Sequence, residues 1–113
     1  MMIFKKVTII GVGLIGGSLG LAIKKRRLAQ EVTGVVRRKS TLLKVKKFKA
    51  VDRATFNLKE AIGDADLVIL AVPVEKIVPL GRLAKKFMKP NSILMDVGSV
   101  KEEITRLLGK AAP

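Results

Sequence analysis

Residues 7–23, VTIIGVGLIGGSLGLAI, carry no charged side chain over 17 positions and stand between Lys5-Lys6 and Lys24-Lys25. A run of this kind has few solutions: a membrane span, an export signal, or a buried strand that turns directly into a packed helix. Its length is sufficient for a span, which needs about 17–25 apolar residues, and a basic flank is how a secretion signal opens. Its interior argues against both. Gly11, Gly13, Gly16, Gly17 and Gly20 interrupt the run, and Lys24-Lys25-Arg26-Arg27 follows it where a signal would carry a small-residue cleavage site. The Gly16-x-x-x-Gly20 pair, a possible contact motif within a bilayer, equally lets a helix approach a sheet closely. The expectation is therefore a domain with no membrane association.

The rest of the chain repeats one alternation. Residues 6–10 read as a doubly covered parallel strand, and the glycines end it. Ile15, Leu19, Ala22 and Ile23 then recur at helical spacing over residues 14–27, and the basic last turn suits the negative end of a helix dipole. A second strand is expected at 32–36, a short helix at 40–49 and a weak third strand at 51–55. Asn57-Leu58-Lys59-Glu60 has the form of a capping box opening a short helix to Gly63. LVILAV, residues 67–72, is a buried strand stopped by Pro73. Ile77, Leu80, Leu83, Ala84 and Phe87 mark another helix, with Pro79 expected near its first turn. A strand at 92–96 and a helix at 100–108 close the pattern. Strands alternating with helices through short connections require parallel pairing, so the fold class is α/β, a Rossmann-type doubly wound parallel sheet in a single three-layer domain spanning residues 1–113.

The glycines then acquire a role. Gly11-Val12-Gly13-Leu14-Ile15-Gly16 is G-x-G-x-x-G at the point where a strand becomes a helix. The first glycine permits the tight turn, the second leaves no Cβ in the path of a pyrophosphate, and the third lets the helix pack on the strand. Amides near Leu14 and Ile15 face the phosphates. An NAD site would carry Asp or Glu at the end of the second strand, about 20 residues on, to hold the ribose hydroxyls. Here the chain reads Val36-Arg37-Arg38-Lys39-Ser40-Thr41. Val36 accepts no hydrogen bond, whereas Arg37 and Arg38 can clamp a 2′-phosphate with help from the Ser40 and Thr41 hydroxyls at a helix N-terminus. NADP is expected in preference to NAD, the alternative being arginines that are simply exposed.

Composition removes other chemistries. With no Cys and no His, the chain offers no disulfide, thiol nucleophile, imidazole base or usual zinc site, so no metal is expected, and a reducing cytoplasm fits. Lys and Arg number 23 against 9 Asp and Glu, a formal charge of +14 that favours anionic ligands. Nucleic acid is a weaker reading, because no Tyr or Trp and only four Phe are available to stack on bases. Solvated helix faces, or an acidic partner segment, account for the charge instead.

Three segments together, VGLIGGSLGLAIK, DADLVILAVPV and MDVGSVK, resemble the nucleotide-binding domain of prephenate/arogenate dehydrogenases of tyrosine biosynthesis, over residue 7 to about residue 104. The resemblance implies an oxidoreductase that transfers hydride to NAD or NADP from the ring carbon bearing the hydroxyl of prephenate or arogenate, as carboxylate leaves and the ring aromatises. It implies that Ser99 approaches the substrate hydroxyl, although Ser99-Val100-Lys101-Glu102 is also a capping box. It sets Val72 and Pro73 on the nicotinamide side of the cofactor, where the bland reading is strand termination. Family members also carry a catalytic histidine in a His-Pro segment and a following helical domain that supplies substrate-binding residues and a homodimer interface. This sequence has neither. The expectation is thus a cofactor-binding domain inactive by itself. The alternatives are a stand-alone dinucleotide-binding or sensing module, the Rossmann domain of another NAD(P)-dependent hydroxyacid-type dehydrogenase, and a polyanion-binding protein.

Overall fold

In a computed structural model, which describes residues 3–11 and 13–97, five strands and four helices alternate. They are β1 Phe4–Ile10, α1 Leu14–Lys25, β2 Ala29–Val35, α2 Lys39–Phe48, β3 Arg53–Thr55, α3 Leu58–Gly63, β4 Leu67–Leu70, α4 Val74–Phe87 and β5 Ile93–Asp96. All strand pairings are parallel and the order is β3-β2-β1-β4-β5. The chain starts in the middle of the sheet, builds one half outward and returns to build the other. The strand order therefore reverses between β1 and β4, where a crevice opens beyond the carboxyl ends of the strands.

Side-chain alternation distributes the core on two faces. Val7 and Ile9 of β1, Val32 of β2 and Leu67 and Ile69 of β4 pack with Ile23 and Val45 from α1 and α2. Ile10, Val35, Val68 and Leu70 face the other way, against Ala61 and Ile62 of α3 and Ala84 of α4. Each face is covered, which is why β4 is an unbroken apolar run with all four residues buried. Thr8, also fully buried, is accommodated because its Oγ1 donates to Ala61 O at 2.6 Å and so ties β1 to α3.

Aspartates pin the sheet at the edge opposite the crevice. Just before β4, the Asp66 carboxylate accepts from the Lys5 and Lys6 amides of β1 at 2.9 and 3.0 Å and pairs with Lys89 Nζ at 2.7 Å. These partners, Lys89 first and then the Lys6 amide, hold its carboxyl below the usual carboxylate range. Just before β3, Asp52 does the same for β2, accepting from Val32 N at 2.7 Å and pairing with Lys24 at 3.0 Å.

Several boundaries differ from the sequence expectation for local reasons. β1 begins at Phe4 instead of residue 6, and β2 at Ala29 instead of residue 32, because the Ile3 and Phe4 amides both bond Leu28 O and extend the pairing backward. β4 ends at Leu70 instead of residue 72; the Ala71 amide still bonds Ile10 O at 2.8 Å before the chain turns toward Pro73. Asn57 caps α3 as expected, its Oδ1 accepting from Glu60 N at 3.1 Å. Pro79 departs from its expected place: α4 starts at Val74, so the proline is its sixth residue, in the second turn. The intrahelical bond it deletes would have ended on Glu75 O; both residues are exposed, so solvent reaches that carbonyl. The helix expected at 100–108 lies outside the described residues.

Candidate nucleotide-binding site

The crevice is built by two chain turns that touch. Gly11 leaves β1 with φ +86°, a conformation L side chains rarely adopt, and its amide donates to Val35 O at 3.0 Å. A Cβ at Gly11 would lie 2.6 Å from Ala71 O and 2.7 Å from Val72 Cγ1. The glycine is therefore required twice, by its dihedral and by the segment leading from β4 into Pro73. Gly16, one turn into α1, has the same tightness: a Cβ there would be 2.8 Å from Gly11 O and 3.3 Å from Ala71 Cβ. These glycines let the helix sit directly on the β1–β4 junction.

Gly13 is different. It caps α1, and its amide folds back to Gly11 O at 2.9 Å while its carbonyl receives Gly17 N at 2.8 Å. Among the described residues, a Cβ built on it meets no atom within 4 Å and no packing forbids a side chain, so the position faces an open cradle. At the mouth of that cradle, α1 begins with the backbone of Leu14 and Ile15, whose first-turn amides have no carbonyl four residues back to bond. Among the described residues, no side chain caps this terminus and no acid lies in its first turn. The amides and the positive helix end are left available to an anion. Gly11 and Gly16 are thus closely packed positions, whereas Gly13 between them is open.

The second half of the site follows β2. Val36 is buried and its amide donates to Thr55 O at 3.0 Å, after which Arg37 and Arg38 emerge exposed. Arg38 is the N-cap of α2, and Ser40 and Thr41 occupy that helix's first turn. As at α1, no side-chain cap and no acid is present there. α3 makes the contrast, because Asn57 and Glu60 occupy its N-terminus. The bond from Gly11 N to Val35 O links the glycine turn to the end of β2, and Gly13 and Thr41 line one groove of about 400 Å³ between α1 and α2. Gly17, Ser18 and Lys44 share that groove and were not singled out in the sequence. The spacing of Gly13 and Gly17, one helical turn apart on the same face, was the signal available.

Val72 and Pro73 stand across the crevice from the arginines, Pro73 capping α4 and Val72 against the glycine turn. Ser99 lies outside the described residues.

A family model described as the nucleotide-binding domain of prephenate dehydrogenase matches residues 19–113. The chain belongs to that family. The match begins after the glycine turn. Among relatives, the prephenate dehydrogenase of Lactococcus lactis subsp. cremoris is 35% identical over 104 residues, covering 91% of this chain and 29% of that protein. The cyclohexadienyl dehydrogenase of Zymomonas mobilis is 32% identical over 115 residues, 100% of this chain and 39% of its own length. The chain therefore spans between 29% and 39% of these two relatives. The solved arogenate dehydrogenase of Synechocystis superposes with a TM-score of 0.74 at 30% identity, over 81% of this chain and 32% of that one. A prephenate dehydrogenase from A. aeolicus, solved with hydroxyphenyl propionate and NAD+, has the same fold at 19% identity and a TM-score of 0.73, over 81% of this chain and 32% of that one. As a prephenate dehydrogenase nucleotide-binding domain, the chain has the doubly wound sheet of these neighbours. Among the described residues, no helix is long and apolar enough to cross a membrane.

Proposed function

We propose that this domain binds a nicotinamide dinucleotide in the crevice between β1 and β4, takes NADP in preference to NAD, and serves an oxidative decarboxylation of prephenate or arogenate. The observation that carries the reading is the open cradle at Gly13, which adjoins the uncapped start of α1 while the glycines on either side of it are packed to the limit. A pyrophosphate fits such a place, since it needs close backbone approach and donors but no side chain. Gly11, Gly13, Leu14, Ile15 and Gly16 would hold it through their backbone.

The preference for NADP rests on the end of β2. A buried valine stands where an acidic side chain would receive the ribose hydroxyls, and two exposed arginines follow, with Ser40 and Thr41 in the uncapped first turn of α2. Guanidinium groups and hydroxyls at a helix start suit a dianionic phosphate. Val72 and Pro73 would flank the nicotinamide, and Ser99 would orient the substrate hydroxyl by donating or accepting a hydrogen bond. When bound, the dinucleotide supplies the hydride acceptor. Removing hydride from a carbinol carbon also requires an acceptor for the hydroxyl proton, and the chain contains no histidine to act as one. By itself the domain is accordingly expected to bind cofactor without turnover.

The test is a titration of the wild-type and Arg37→Asp chains with NADP+ and NAD+. Loss of the charge-assisted contact should cost about 1.5–3 kcal/mol toward NADP, roughly 10- to 100-fold, and leave NAD within a few-fold. Equal weakening of both would remove the 2′-phosphate assignment.

A further inference from the structure

The two helical layers differ sharply in charge. Residues 14–28 and 37–50, which hold α1 and α2, contain eleven Lys and Arg and no Asp or Glu. The opposite layer carries both signs, with Glu60 and Glu75 among its lysines. Among the described residues, Lys24 is the one cation of the α1–α2 face held in an ion pair, with Asp52. Lys44, Lys46, Lys47 and Lys49 are exposed, as are Lys25, Arg26 and Arg27. Anion binding at the dinucleotide corner does not account for cations this far along both helices.

Within this basic face lies an apolar groove. Its floor is formed by Val45 and Ala50, both buried, and its rims by Leu21 of α1 and Phe48 of α2, which remain 46% and 66% exposed. Leaving large apolar side chains on facing rims of a concave surface is costly unless something covers them. The groove is concave and bounded by two helices, which suits a ridge of protruding side chains better than a flat bilayer. A nucleic acid would find one exposed aromatic residue here and no Tyr or Trp to stack on.

We propose that the α1–α2 groove docks an acidic amphipathic segment of a protein, with the segment's apolar ridge between Leu21 and Phe48 and its carboxylates against the lysine rim. The apolar floor selects a helical ridge and the surrounding charge selects acidic flanks, the groove-binding mode of amphipathic helices. This inference does not rest on the dinucleotide reading, although Gly13 and Thr41 at one end of the groove are shared with it.

The probe is a fluorescein-labelled peptide of about 16 residues, some four helical turns, with leucines on one face and glutamates elsewhere, compared with a scrambled peptide of the same composition. Anisotropy should show the amphipathic peptide binding at least about tenfold more tightly than the scrambled one, with affinity falling as salt rises. Leu21→Ser and Phe48→Ser, both at exposed positions, should abolish that difference without lowering the melting temperature, and Lys44→Glu should weaken both peptides. The proposal is overturned if the two peptides bind alike, if neither binds, if Phe48→Ser leaves the difference intact, or if duplex DNA or phosphatidylserine vesicles bind more tightly than the amphipathic peptide.

Discussion

Exchanging Gly13 for valine should separate ligand binding from folding, and the structure gives the size of both effects. The position has φ −98°, outside the left-handed region, and a Cβ there meets nothing within 4 Å. The cost to folding is then that of a poorer N-cap residue, about 0.5–1 kcal/mol, which lowers the melting temperature by a few degrees. The cost to binding is larger, because the valine methyls occupy the space a diphosphate needs to reach the amides of Leu14 and Ile15. Losing two charge-assisted hydrogen bonds at about 1.5–3 kcal/mol each weakens affinity by roughly 10² to 10⁴-fold. Gly11→Ala should behave in the opposite sense. Its left-handed backbone costs about 1–2 kcal/mol with a Cβ present, and the overlap with Ala71 O adds about 1–3 kcal/mol, so the fold itself gives way. Thermal melts followed by circular dichroism, paired with NADPH fluorescence titration, read the two quantities apart. Wild-type affinity in Gly13→Val, or a melting temperature as low as that of Gly11→Ala, would refute the assignment of the cradle.

Other expectations concern the frame around the site. At Gly20 a Cβ would fall inside contact distance of the backbone carbonyl of Ala50, so Gly20→Ala should lower stability even though alanine gains about 1 kcal/mol in helix propensity; a higher melting temperature would show that α1 can lift off that turn freely. Asp66 has its carboxyl held below the ordinary range in the folded chain. Its contribution is therefore complete above the unfolded value of about 3.9 and is lost as pH falls through the lower folded value. Asp66→Asn should destabilise the domain at neutral pH and flatten the acid limb of a stability-against-pH curve; an acid limb identical to wild type would contradict the role given to its bonds with Lys5, Lys6 and Lys89.

The central architecture was legible because each element carried its own signal. β4 is an apolar run ahead of Pro73, the buried half of β1 runs into Gly11, and the Asn57 cap and the Gly11 turn bear side-chain or backbone signatures in the residues themselves. The tight packing at Gly11 and Gly16 could also be anticipated, since strand, turn and helix are contiguous. What the sequence did not disclose are contacts between distant segments. Nothing near Asp66 or Asp52 in the chain announces that each would receive amides from a neighbouring strand, some 60 residues away for Asp66 and 20 for Asp52. The fit of Gly20 against Ala50 and the groove shared by Gly13, Thr41 and Lys44 arise only when α1 and α2 lie side by side. Proline is expected near a helix start because it deletes a hydrogen bond; the exposed placement of Glu75 and Pro79 on α4 relaxes that constraint, which is a property of the folded surface.

Under the proposed function, backbone amides at the start of α1 receive a diphosphate. Amide-resolved NMR of the 15N-labelled chain, titrated with NADP+, addresses this residue by residue. The largest shifts should fall on Gly13, Leu14, Ile15 and Gly16, with a second group from Arg37 to Thr41 that fades when NAD+ replaces NADP+. Saturating NADP+ that leaves those α1 amides unmoved, or shifts confined to another face, would contradict it.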